Sequence, residues 1–279
     1  MIPIFLSLDK FPISVPGCYG NTEARTPGLD RLAAESMVFD RVYAQDTQTG
    51  ETLRKMWDSL EPLFASGFFS GERIFLTDDA SLNPESFFET VLRADSFPEL
   101  LETAKTISGG FLWCHARRWN LETLDAALEE LNVSALLSVR GAAFSKKAKK
   151  ASTPEEIRRY LLHHLEIQLP WWIKKVATYP EYAASRCKSL LAAEDLGKIL
   201  EAENPKNVYR EAVFIKNAPR RAVVTEDWFL TWDERLDAEK EFPGELYRKP
   251  DDWWEQNNVA SRCPEEMEML HGLENEATK

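Results

Sequence analysis

The chain has 279 residues, enough for one large α/β domain or two small ones with an adequate core. Its formal charge of −12 argues against non-specific nucleic-acid binding and against an anionic membrane surface. Four well-separated cysteines, Cys18, Cys114, Cys187 and Cys263, form no metal-ligand or disulfide spacing, so free, mostly buried thiols in a reducing compartment are expected. The first eight residues are too short and lack a basic start for a secretory leader, and no apolar run approaches the roughly 20 residues of a bilayer span. The sequence therefore reads as cytoplasmic, with neither nucleic acid nor membrane as a partner.

Residues 2–8 are a short apolar run ending in a charge, the signature of a central parallel strand that delivers Asp9 to its carboxyl end. Ligands of such sheets gather beyond the strand ends, so Asp9 stands at the edge of a potential site. Gly17 and Gly20-Asn21 supply a tight connection, and Thr26-Pro27 opens a helix whose Leu29, Leu32 and Ala33 share one face. Residues 37–43 read as the next strand. In residues 46–59, Thr47, Thr49 and Thr52 cluster near a helix start, with Thr49 or Asp46 expected to cap it.

A strand over residues 72–77 leads to Asp78-Asp79, whose side chains diverge on an extended backbone and suit a turn better than a shared ion. Asn83-Pro84 predicts a helix over residues 85–93, and Ser96-Phe97-Pro98-Glu99 a capping box before a second over residues 98–106. The apolar run at residues 109–115 delivers His115, Arg117 and Arg118 to a strand end. An imidazole and two guanidinium groups there could hold a sulfate or phosphate through charge-assisted hydrogen bonds, against the plainer alternative of a packed histidine. Asn120 caps a helix through Leu131, and residues 133–139 form a further strand.

The lysine-rich stretch at residues 145–153 reads as a solvated loop, because aromatics do not interleave with it. A helix opening at Thr153 carries His163-His164, whose imidazoles point about 100° apart and cannot chelate one ion. Pro170-Trp171-Trp172 reads as a hinge or an aromatic cluster facing a partner, and residues 182–201 as one long helix. Residues 221–224 and 228–232 form a hairpin turning at Glu226-Asp227. The acidic loop 252–258 carries Trp253-Trp254, either a carbohydrate platform or packing for the tail, and an amphipathic helix spans residues 264–273.

Three passages together resemble a known family. The segment GCYGN, then TPGLDRLAAES and VFDRVYAQ, is similar to the amino-terminal block of the sulfatases, members of the alkaline phosphatase superfamily. At the other end, RAVVTEDWFLTW followed by ELYRKPDDWWEQNNVASRCPEE is similar to the family's carboxyl-terminal strands and tail. The resemblance implies an α/β fold: a mainly parallel sheet sandwiched by helices, truncated, with a small antiparallel addition. Residues 1–279 then form a single domain, with 219–279 as carboxyl-terminal hairpin and tail.

The family's chemistry is not carried over with its frame. In sulfatases the Asp9 position begins a carboxylate pair that binds a divalent cation, and here the second member is Lys10, so Asp9 is a vestigial metal ligand. Residues 46–57 hold neither the Cys-x-Pro-x-Arg nucleophile motif nor a cysteine or serine. The strand ending in Ser-Asp-His-Gly or Ser-Asp-Asn-Gly, which supplies the remaining ligands, is missing between residues 199 and 215. A pseudoenzyme follows, without cofactor, binding a sulfated or phosphorylated small molecule or glycan, or a protein partner. The enzyme-class alternative is a residual sulfuric or phosphoric ester hydrolase using a threonine and a divalent cation such as calcium. A third is an interaction protein acting through its acidic aromatic tail.

Overall fold

The computed structural model describes residues 2–11, 15–22, 24–46, 48–139, 171–173, 185–217, 219–235, 237, 244–252, 255 and 257–277. The expectations for the lysine-rich stretch, the helix at Thr153, His163-His164 and Trp253-Trp254 lie outside these residues.

Five parallel strands form one side of an eight-stranded sheet: β1 (Ile4–Asp9), β4 (Arg73–Thr77), β5 (Thr90–Arg93), β6 (Phe111–Ala116) and β7 (Ala135–Val139). They run from an edge inward in the order β5-β4-β6-β1-β7, with β1 buried along its whole length between β6 and β7. The sheet continues through β8 (Trp171–Ile173), β2 (Met37–Phe39) and β9 (Arg186–Cys187). Strand β8 is antiparallel to both β7 and β2. The run at residues 2–8, expected as a central strand, indeed lies in the interior of the sheet.

Alternate residues of these strands feed two different cores. Ile4, Leu6, Leu8, Leu76, Leu112, Cys114 and Leu136 face an aliphatic layer with α1 (Pro27–Ala34), α3 (Phe97–Thr106) and α4 (Leu121–Glu130). Phe5, Phe75, Phe111, Trp113 and Leu137 face the opposite layer, built on α2 (Thr49–Ala65) and α5 (Leu196–Glu201). Trp57 of α2 lies edge-on to Phe75, Phe88 and Trp113. Helices α1 and α4 meet at Gly28, where a Cβ would stand 2.2 Å from the carbonyl oxygen of Asp125. The Asp125 carboxylate accepts a hydrogen bond from Leu29 N–H (2.9 Å), placing a negative charge at the amino end of α1.

Near the carboxyl end, β11 (Ala212–Asn217), β12 (Arg220–Thr225), β13 (Trp228–Asp233) and β14 (Glu245–Arg248) form an antiparallel sheet in that order. The hairpin between β12 and β13 turns at Glu226-Asp227 as expected, and α6 (Pro264–Ala277) packs on this sheet through Met267 and Leu270. The antiparallel addition therefore begins before residue 219, because β11 belongs to it. The architecture is a mainly parallel sheet between helical layers with a small antiparallel sheet beside it.

Several local expectations are corrected. Residues 85–93 are not a helix: Pro84 organises only a turn, with Phe87 and Phe88 N–H bonded to its carbonyl oxygen. Thr90–Arg93 then pairs in parallel with β4. The long helix over residues 182–201 is absent over its described part. Arg186–Cys187 joins the main sheet, β10 (Leu191–Ala192) pairs with β3 (Val42–Tyr43), and only Leu196–Glu201 is α-helical. Trp171 and Trp172 belong to strand β8 and not to a hinge.

Candidate functional site

The carboxyl ends of β1, β4 and β6 bring the polar candidates to one face of the sheet. Register pairs Ser7 with His115 across β1 and β6, and Thr77 with His115 across β4 and β6. Counting by twos along β1 from Phe5, Ser7 and Asp9 project toward the α2 layer, as do Thr77 and His115 on their strands. The functional side chains thus continue the aromatic face of the sheet beyond the point where its aromatics stop.

Asp9 is buried, and its Oδ1 accepts a hydrogen bond of 2.8 Å from the Thr49 hydroxyl at the first residue of α2. Neither Thr49 nor Asp46 is the cap residue expected: Gln48 occupies that position without a side-chain hydrogen bond. Asp46 Oδ1 accepts instead from Gln48 N–H (2.7 Å), and the Thr52 hydroxyl donates to the Asp46 carbonyl oxygen (3.2 Å). Asp9 lies at the amino end of a 17-residue helix, where the macrodipole favours a negative charge. Lys10 follows with φ of 57°, a left-handed backbone that costs a non-glycine residue about 1–2 kcal/mol. Its N–H is anchored to the Val139 carbonyl oxygen (2.8 Å), and the Trp119 indole N–H donates to the Asp9 carbonyl oxygen (2.7 Å).

His115 is fully buried. Its Nδ1 lies 3.0 Å from the Ser7 hydroxyl, which also accepts from the Trp113 indole N–H (2.8 Å). Nε2 has no hydrogen-bond partner. Burial lowers the imidazole pKa to about 4, against an opposing pull from Asp79, so the ring is neutral at physiological pH. Ser7 was not singled out from the sequence. The signal was a lone hydroxyl in an otherwise apolar strand, but its pairing with a residue 108 positions away is a product of sheet register.

Arg117 and Arg118 leave the sheet beyond His115, and their side chains are exposed. Their backbone N–H groups both donate to the Asp78 carboxylate, at 2.6 and 3.0 Å. The Arg117 guanidinium reaches Asp79 Oδ1 at 3.3 Å. Burial pushes the Asp79 carboxyl upward, but the hydroxyl and N–H of Ser81, with Arg117, outweigh it and hold the pKa below the ordinary range. Arg93 braces the same turn through the Asp79 and Leu82 carbonyl oxygens. Asp78 and Asp79 thus fasten the β4 end to the β6 end. His115 is within the sheet, whereas the two guanidinium groups are outside it.

A divalent cation implied by the family resemblance does not fit the described residues at this end of the sheet. Calcium takes six to eight oxygen ligands and magnesium a near-ideal octahedron. Among the described residues no three His, Cys, Asp or Glu side chains stand close enough to share an ion. At Asp9, Lys10 follows in sequence and the Thr49 hydroxyl already donates to the carboxylate.

No protein-family profile matches the chain. The N-acetylglucosamine-6-O-sulfatase of Bacteroides thetaiotaomicron is 26% identical over 118 residues, 42% of this chain and 17% of the sulfatase. The match thus spans under a fifth of that relative's length. Among solved structures, a 2-O glycosaminoglycan sulfatase superposes with a TM-score of 0.67 at 12% identity, covering 99% of this chain and 91% of that one. A protein solved in complex with its substrate D-glucosamine-2-N,6-O-disulfate gives 0.67 at 11% identity, covering 99% and 97%. An alkaline phosphatase superfamily protein from Vibrio parahaemolyticus gives 0.58 at 12%, covering 94% and 86%. At such identities the likeness carries the architecture and not the chemistry. The chain has the fold of the sulfatases and of the wider alkaline phosphatase superfamily.

Proposed function

We propose that this sulfatase-like protein binds a sulfated or phosphorylated ligand beyond the carboxyl ends of β1 and β6 without hydrolysing it. The observation that carries this reading is the Asp9–Thr49 hydrogen bond beside Lys10. Ester cleavage in this fold needs a cation to polarise the ester and an activated nucleophile. Here Asp9, which the resemblance places at the metal position, accepts from the Thr49 hydroxyl in the segment where the resemblance expects the nucleophile, and a lysine follows Asp9. Binding requires less: the exposed guanidinium groups of Arg117 and Arg118 can meet a sulfate or phosphate by charge-assisted hydrogen bonds. His115 contributes by shape and not by charge, because it is buried and neutral.

The structures that share this fold support the ligand class, one of them having been solved with a disulfated glucosamine as its substrate. A reducing, cytoplasmic setting belongs to the same proposal: two of the four cysteines, Cys114 and Cys187, are buried and all four are free thiols. A protein partner is the accompanying alternative for a fold kept without catalysis.

One observation favours a second reading. Thr49 sits at the amino end of α2 with its oxygen 2.8 Å from a carboxylate, the arrangement a threonine nucleophile would need from a base or a cation-bearing acid. Calorimetric titration of D-glucosamine-2-N,6-O-disulfate into the wild type and the Arg117→Met/Arg118→Met variant tests the binding proposal. Saturable heat that the double substitution weakens at least tenfold is expected; heat indifferent to it overturns the assignment of the arginines.

A further inference from the structure

The antiparallel sheet ends at β14, and among the described residues no further strand pairs beyond it. Such an edge presents unpaired N–H and C=O groups on which another chain can form a strand. Backbone groups alternate in direction along β14. Lys249, directly after the strand, donates its N–H inward to the Asp227 carbonyl oxygen (2.7 Å), so Leu246 and Arg248 turn outward. Both are covered by the chain's own next turn. Leu246 N–H donates to Asn258 Oδ1 (3.1 Å), and the Leu246 carbonyl oxygen accepts from Val259 N–H (2.8 Å). The Arg248 carbonyl oxygen accepts from Asp252 N–H (2.8 Å). Asp252, Asn258 and Val259 thus belong to a strap laid along the edge.

A buried ion pair clips this strap. Lys249 and Glu255 are 2% and 8% exposed, with the ammonium 3.1 Å from Glu255 Oε1 and 5.5 Å from the centre of the Phe229 ring. Two charges taken out of water regain little net stability from each other, but loss of one leaves the other's charge buried. Glu255 also has φ of 50°, a left-handed backbone that a residue with a side chain keeps only where its surroundings fix it. Its N–H donates to the Asp252 carbonyl oxygen (3.2 Å), and Asp252 Oδ2 accepts from Asn257 N–H (2.8 Å). In sequence Glu255 lies between Asp252 and Asn258, two of the residues that cover the outward groups of β14, so anchoring its carboxylate anchors both.

We propose that the Lys249–Glu255 pair is the latch of a strap that keeps β14 from pairing with β14 of a second copy of this chain. The edge itself selects that occupant. Leu246 turns both its N–H and its C=O outward, and a two-fold axis beside it brings the same two groups of a second Leu246 into reciprocal hydrogen bonds. The latch uses none of the residues of the strand-end proposal and stands or falls separately from it.

Glu255→Gln, which keeps the shape of the side chain and removes its charge, tests the latch. Amide hydrogen exchange followed by NMR should accelerate at least tenfold at Leu246 and Val259, with Val223 of the interior strand β12 unchanged. Sedimentation velocity should show the variant passing from monomer to dimer as its concentration rises, while the wild type stays monomeric over the same range. Lys249→Met/Glu255→Leu, which replaces the pair with apolar side chains, should restore slow exchange and the monomer. If Glu255→Gln does not fold, Lys249→Met, whose remaining carboxyl can take up a proton, is read in the same way. Exchange at Leu246 and Val259 as slow as in the wild type, or equal acceleration at Val223, overturns the latch. Faster exchange at the edge without a dimer overturns its role in guarding β14.

Discussion

The two faces of the central sheet are built from alternate residues of the same strands, yet they are different materials. On one, Ile4, Leu6 and Leu8 of β1 and Leu112, Cys114 and Ala116 of β6 meet three helices in a layer of aliphatic side chains. On the other, Phe5 gives way to Ser7 and Asp9, and Trp113 to His115, so that an aromatic layer ends in a polar rim beneath the amino end of α2. Period-two alternation lets a strand keep one face for burial alone and place every group of chemical interest on the other. The aliphatic face has only volume to conserve. The polar rim carries the constraints of hydrogen bonding.

The sharpest way to separate the faces is by truncation. Leu6→Ala removes a fully packed aliphatic chain and should cost about 2–5 kcal/mol in urea unfolding. His115→Leu removes an imidazole whose Nε2 has no partner, while Ser7 still accepts from Trp113 and donates to the Cys114 carbonyl oxygen. It should leave stability within about 1 kcal/mol of the wild type or raise it. An equal loss from both substitutions would erase the distinction.

Acid sharpens the comparison further. The folded state holds His115 at a pKa of about 4 through burial, against 6.5 for an unperturbed imidazole, so between these values the unfolded chain binds the extra proton. Stability at neutral pH should therefore fall as pH drops from about 6.5 to 4, by roughly 3 kcal/mol if the shift is fully expressed. His115→Leu should flatten that part of the curve. Asp79 acts at lower pH: its carboxyl is held below the ordinary range, so its contribution is present above that range and is lost as pH falls through the lowered value. A wild-type curve unchanged by His115→Leu between pH 4 and 6.5 would contradict a buried neutral ring.

Thr49→Ala probes the rim from the helix side. It deletes a hydroxyl donor to a buried carboxylate and should cost about 1.5–3 kcal/mol at pH 7. Thr49→Ser retains the donor and should recover most of the loss. No change in either variant would mean that Asp9 does not depend on α2.

Much of this division was legible before any coordinates. The apolar runs before Asp9 and His115 revealed two strands, which the sheet register makes neighbours, and Ser96 caps α3 by accepting from Glu99 N–H as its motif predicts. Failures occurred where pairing overrode local preference. Thr90–Arg93 follows a proline that normally opens helices, but hydrogen bonds to β4 decide its conformation. Cys187 and Leu191-Ala192 lie in two-residue strands, too short for any period to register. The candidate residues themselves were legible in kind, as Asp9, Thr49, His115, Arg117 and Arg118. Their relations were not: Asp9 and Thr49 are 40 positions apart, and Asp78 spends its carboxylate on the backbone of Arg117 and Arg118.

The protein has a sulfatase-like fold, and the proposal that it binds without hydrolysing is open to a direct test. Turnover of aryl sulfate and aryl phosphate esters by the full chain, with calcium, magnesium or manganese added, tests it most directly. The account predicts no release above the uncatalysed rate with any of these ions, in the wild type or in Thr49→Ala. Release that a chelator abolishes and that Thr49→Ala and Asp9→Asn both eliminate would contradict it.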